Sequence, residues 1–217
     1  MLAILLVVAT QPPIAPQPRE VDPFAKWEKS IAAIEKNLQA NPPKTGSVFF
    51  VGSSTIVKWD LKKYFPDYSY VNVGFGGSAI ADSTHFAQRI IAPFKPSTIV
   101  FYAGDNDIAA GRKAEQVAED FRAFVSVARK DNLSCKVLFL AVKPSIARWK
   151  MFEEQKKANS LVRLFCEKGD RLAYVDTVTP MLGEDGKPRV DLFVKDGLHL
   201  SPKGYELWTE IVNKALK

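Results

Sequence analysis

Residues 47–51, SVFFV, followed by residues 52–55, GSST, decide how this chain folds. The first five residues are mostly β-branched or aromatic, the composition of a strand covered on both faces of a parallel sheet. A run this short, closed by a glycine and then by serines suited to a helix N-terminus, predicts a strand that turns directly into a helix.

The pattern recurs. Residues 68–73, 97–102, 136–142 and 172–175 read as four further strands. Helical spacing lies between and around them. After Asp22-Pro23, an N-cap and first-turn proline, Phe24, Trp27, Ile31, Ile34 and Leu38 share one helix face until Asn41-Pro42-Pro43 stops it. Val117, Phe121, Phe124 and Val125 mark a helix over 114–130, and Leu161, Leu164 and Phe165 another over 152–168. A last helix spans 206–216. Strands alternating with helices predict an α/β fold: a three-layer α/β/α sandwich with a mainly parallel five-stranded sheet, flavodoxin-like, with ligands at the carboxyl ends of the strands.

With 217 residues, 47% of them hydrophobic, the chain suits one large domain, expected over residues 19–217. The net charge of +6 is spread among acidic residues, as in 113–119 and 153–157, which describes a solvated surface. No zinc-finger or aromatic nucleic-acid signature accompanies it, so nucleic acid is not an expected partner. Residues 1–18 read as a leader: the apolar run 2–9, LAILLVVA, is too short to span a bilayer and precedes the Pro-rich stretch 11–18. Its length and the small residues Ala9 and Ala15 fit a secretory signal, although a basic start is missing. The expected location is therefore periplasmic or secreted, with a tail on a cytoplasmic protein as the alternative. Cys135, leading into a strand, and Cys166, on a helix, read as two buried thiols rather than one bridge.

The polar residues collect after the strands. Gly52-Ser53-Ser54-Thr55, Asn72 to Ser78, Gly104-Asp105-Asn106-Asp107 and Asp196-Gly197-Leu198-His199 would converge on one site. Each alone has a plainer reading. Ser53 suits a helix cap, Asn72, Gly74 and Gly76 suit turns, the acidic loop fits a turn or a cation site, and Asp-x-x-His arises often by chance. In order and together, these blocks resemble the SGNH (GDSL-type) esterase/lipase family of hydrolases, over about residues 47–216. The first block here is FVGSST where many relatives have Gly-Asp-Ser, so the departure falls on Ser53.

The resemblance implies a nucleophile at Ser54, an acid and base at Asp196 and His199, oxyanion donors at Ser54, Gly77 and Asn106, and no metal or organic cofactor. Elementary chemistry agrees. A serine hydroxyl needs a base, the base needs a third group to fix its tautomer, and the tetrahedral intermediate needs donors aimed at its charge. His199 is one of only two histidines, and His85, in a segment of helical pattern, reads as structural. Trp59 and Trp208 read as core or pocket-wall aromatics. Arg148 and Trp149, after the fourth strand, are candidate substrate contacts.

The expected reaction is hydrolysis of short acyl or acetyl esters, including those of carbohydrates. A thioesterase or lysophospholipase for longer chains is the near alternative. A non-catalytic carbohydrate-binding relative is a more distant one, and a metal-dependent phosphoesterase is poorly served by two histidines.

Overall fold

The computed structural model describes residues 22–217. The expected leader lies outside them. Five strands, β1 Val48–Gly52, β2 Val71–Asn72, β3 Thr98–Tyr102, β4 Lys136–Leu140 and β5 Leu172–Val175, form one sheet in the order β2-β1-β3-β4-β5, each neighbouring pair parallel. The helices of the described residues are α1 Glu28–Ala40, α2 Ser54–Val57, α3 Leu61–Tyr64, α4 Ile80–Ile90, α5 Asp105–Ala109, α6 Ala114–Ala128, α7 Phe152–Lys168 and α8 Pro202–Leu216.

Strand residues alternate between two cores, as the period of two requires. Phe49, Val51, Ile99, Phe101, Val137 and Phe139 pack against Ile31 of α1, Phe86 of α4, Phe121 of α6 and Val162 of α7. Phe50, Val100, Tyr102, Leu138 and Leu140 face the other way, onto Ile56 of α2, Leu61 of α3 and Trp208 of α8. The strands are therefore apolar on both sides, which is why 47–51 carries no alternation. Wholly buried rings such as Phe101 and Phe139 each contribute roughly 1.5–3 kcal/mol of transfer free energy. Trp59 and Trp208 belong to the second core, as their expected structural role requires.

Several boundaries differ from the sequence reading, each for a local reason. The first helix starts at Glu28, because Asp22 caps the N–H of Phe24 and the chain makes a 3-10 turn over Ala25–Trp27 first. The second strand shrinks to two residues: Tyr68 N–H closes a turn onto the Phe65 carbonyl, and the Tyr68 ring stacks on Tyr70 instead of entering the sheet. The fourth strand ends at Leu140, since the Asn159 amide takes both the N–H and the C=O of Val142, at 2.8 and 2.9 Å. The last helix begins early, at Pro202, where Ser201 Oγ accepts the Gly204 N–H. Leu164, expected on the buried face of α7, is about half exposed. Cys135 and Cys166 are free and buried, and burial raises their thiols to about 11 and about 12.

Candidate active site

The turn out of β1 sets the geometry. Gly52 has φ +137°, and a Cβ there would collide with the Tyr102 carbonyl of the neighbouring β3. Only glycine passes this close. Ser53 N–H then bonds that carbonyl at 3.0 Å, and the chain enters α2 with Ser54 as its first residue. Ser53 occupies the cap position through its backbone alone. Its side chain is buried and makes no capping bond, in contrast to the hydroxyl cap expected from sequence.

Ser54 Oγ lies 3.0 Å from His199 Nε2, and His199 Nδ1 lies 2.6 Å from Asp196 Oδ2. The other carboxylate oxygen, Oδ1, accepts the backbone N–H groups of Leu198 and His199, both at 2.9 Å. The His199 hydrogen bond, with those backbone donors, holds the Asp196 carboxyl well below the usual carboxylate range. An ionised Asp196 accepting from Nδ1–H leaves Nε2 as the acceptor for the Ser54 hydroxyl. The loop closes through Gly197 at φ +64°, whose carbonyl accepts Ala147 N–H from the segment after β4. Val194 N–H bonds the His199 carbonyl, completing a small antiparallel clasp.

The loop after β2 is tied to the same turn. Phe75 N–H donates to Gly52 O at 2.9 Å, and a Cβ on Gly76 would sit 4.0 Å from Ser54 Cβ. Asn72 shapes this loop, as expected: its amide reaches the Ile56 and Trp59 carbonyls while its oxygen accepts Gly74 N–H. Gly77, at φ +82°, has the Trp27 ring beside it. Asn106 donates from Nδ2 to the Ser78 carbonyl at 3.0 Å, joining the loops after β2 and β3. Three of the four sequence-selected blocks are thus linked to one another, and Ser54 is linked to the fourth.

Asp105 and Asp107 diverge from each other. Asp107 Oδ1 accepts Ile80 N–H at the start of α4, and burial raises this carboxyl to about 6. Asp105 turns the other way, to Arg148 at 2.8 Å, Lys143 at 3.5 Å and Gln155 at 3.1 Å. Among the described residues no group of three or more His, Cys, Asp or Glu gathers where a cation would bind.

Arg148, expected as a substrate contact, donates both terminal nitrogens to Asn106 Oδ1, at 3.1 and 3.2 Å. Trp149 stacks on Phe152. His85 is exposed and stacks on Phe24, 3.9 Å between ring centres. Sequence reasoning missed Lys143 and Gln155, which carried no motif, and it took Trp27 only as part of a helix face. Burial lowers the Lys143 ammonium from its ordinary range, opposed by Asp105. No described helix is long and apolar enough to cross a membrane.

Comparison with known proteins places the fold. A Streptococcus pneumonia structure assigned as a platelet activating factor superposes with TM-score 0.79 at 17% identity, covering 88% of this chain and 92% of the other. A GDSL-like lipase from Bacteroides thetaiotaomicron gives 0.69 at 18%, covering 89% and 97%. A carbohydrate esterase family 3 protein from Talaromyces cellulolyticus gives 0.58 at 17%, covering 78% and 95%. No curated protein matches the chain in sequence. Residues 52–207 match the GDSL-like Lipase/Acylhydrolase family, a span reaching from the glycine before the paired serines to α8. The chain is a hydrolase belonging to the GDSL-like lipase/acylhydrolase family.

Proposed function

We propose that the protein is a serine esterase that cleaves short acyl esters, acetyl esters of carbohydrates among them, through an acyl-enzyme. The observation that carries this reading is the hydrogen-bonded line from Ser54 through His199 to Asp196. His199 Nε2 takes the Ser54 proton as Oγ bonds to the ester carbonyl carbon. The carbonyl electrons move to oxygen, where the N–H groups of Ser54 and Gly77 and the Asn106 amide receive the charge. Collapse expels the alcohol, protonated by His199, and leaves acyl-Ser54. Water, deprotonated by His199, then releases the acid and restores Ser54. Asp196 stays ionised throughout and holds the imidazolium that forms. The reaction so written uses no metal or organic cofactor.

The short-chain preference draws on the fold shared with a carbohydrate esterase and on the Trp27 ring standing beside Gly77, where it would wall the acyl side. One feature favours a second reading, a thioesterase or lysophospholipase for longer chains. A cleft of about 390 Å³ adjoins Asp196, lined by Ile146, Val190, Phe193 and Val194. Nitrophenyl acetate and nitrophenyl decanoate separate the two. The first reading expects kcat/KM to favour acetate by about tenfold or more, since each methylene accommodated or refused in an apolar pocket is worth roughly that much. A preference for decanoate supports the second, and inactivity on every ester and thioester tested contradicts both.

A further inference from the structure

We infer that Arg148, braced by Asp105 and Lys143, is a positioning residue that orients and polarises the oxyanion amide of Asn106. This rests on the esterase reading above, and it replaces the expectation that Arg148 touches substrate.

An asparagine amide has two ends of nearly equal shape and opposite hydrogen-bonding sense. Here both ends are fixed. Oδ1 receives two N–H groups from the Arg148 guanidinium, and Nδ2 gives one N–H to the Ser78 carbonyl. Turning the amide over would set its NH2 against the guanidinium and its oxygen against a carbonyl, losing three hydrogen bonds for two repulsive contacts. The second N–H of Nδ2 is therefore the group left for a developing oxyanion. A cation on Oδ1 also draws electron density from the amide and strengthens that N–H as a donor, an effect enlarged by the low-dielectric surroundings.

The guanidinium is held in turn. Arg148 Nη1 lies 2.8 Å from Asp105 Oδ2, and Asp105 is 5% exposed, so this pair is little screened by solvent. Gln155 of α7 donates to the other Asp105 oxygen at 3.1 Å. Lys143, 1% exposed, lies 3.5 Å from Asp105 and donates to the Tyr102 hydroxyl at 3.1 Å. Lys143 and Arg148 thus share one carboxylate, and the Arg148 guanidinium places its positive charge on the Oδ1 side of the Asn106 amide, away from the free Nδ2 hydrogen. The loops after β3 and β4 and the face of α7 all contribute, which makes the cluster a brace between elements rather than a surface ion pair.

The test is a double-mutant cycle on nitrophenyl acetate hydrolysis with Arg148→Met and Asn106→Ala, each variant checked for a cooperative thermal transition. Arg148→Met is expected to lower kcat about tenfold to fiftyfold, less than the loss of an oxyanion donor itself, with KM changed by less than about twofold. In the Asn106→Ala background the same change is expected to cost less than about threefold, because the amide it serves is gone. Arg148→Lys retains the charge without the two-pronged grip and serves if Arg148→Met does not fold. It is expected to fall between wild type and Arg148→Met, with the same dependence on Asn106.

Equal costs in both backgrounds, or an effect carried by KM and varying with the alcohol part of the ester, would overturn the positioning role while leaving the esterase reading intact. A folded wild-type protein inactive on esters would remove both together.

Discussion

On the proposed reading the site has an acid–base half and an oxyanion half, and the two are built in opposite ways. The acid–base half is local and open: Asp196 and His199 stand three residues apart on one loop, Asp196 is 46% exposed at its side chain, and its bonds run to its own loop's backbone. The oxyanion half is held over long range, with buried groups behind Asn106 although Gly77 is exposed. Asn106 depends on Ser78, 28 residues away, and on Arg148, 42 residues away, with buried Asp105, Lys143 and Gln155 behind them. A base beside its nucleophile needs chiefly its tautomer and orientation fixed, which one short clasped loop achieves. A charge-stabilising donor must already be in place when charge appears, so it is braced from several elements.

Substitutions separate the two halves, and the largest effect falls where the halves meet. Ser54→Ala is expected to reduce kcat by about 10⁴-fold or more, while Ser53→Ala keeps most activity because its hydroxyl caps nothing. Steady-state ester hydrolysis checks both. Asp196→Asn should cost about 10³–10⁴ in kcat, the result of the wrong imidazole tautomer, with little change in thermal stability because the residue is exposed. Asn106→Ala should cost about 10²–10³ in kcat and, unlike Asp196→Asn, should also lower the melting temperature, since it unties two loops. If Asp196→Asn proved the more destabilising, the contrast between an open and a braced half would fail.

The smallest expected effect is one of pH. Burial raises the Asp107 carboxyl from its ordinary 3.8 to about 6, so protonation accompanies folding there. For an acid raised in this sense, the stability is fully present below the unfolded value and is lost as pH climbs through about 6. Asp107→Asn keeps an oxygen for the Ile80 N–H but cannot ionise. It should be near neutral at pH 4 and stabilise the protein by about 1–3 kcal/mol at pH 8, measured by denaturant unfolding at both values. Asp196 has the opposite sign: its depressed carboxyl favours the fold above the ordinary carboxylate range, a contribution that solvent screening keeps small and that is lost as pH falls below it.

The same contrast governs what the sequence discloses. The strand pattern, the sheet class and the central helices follow from period and burial, which act over a few residues. So does the acid–base loop, because Asp-x-x-His places a carboxylate under an imidazole within one turn. Lys143 and Gln155 carry no such sign, and Asp105 shows only as part of an acidic loop, since their partners lie on other elements and only the folded sheet brings them together. Arg148 drew notice through its place after β4, yet a position alone does not tell a residue that meets substrate from one that holds Asn106. The boundary shift at Leu140 has the same origin, in Asn159 of α7, whereas the one at Pro202 comes from the adjacent cap Ser201, a local signal.

Covalent labelling decides whether Ser54 is the nucleophile. The protein would be treated with a fluorophosphonate, digested, and the modified residue located by mass spectrometry. One label per chain is expected on Ser54, with loss of ester hydrolysis in step with labelling and no label on Ser54→Ala. A label on Ser53, or a folded wild-type protein that hydrolyses esters while Ser54 stays unmodified, would contradict it.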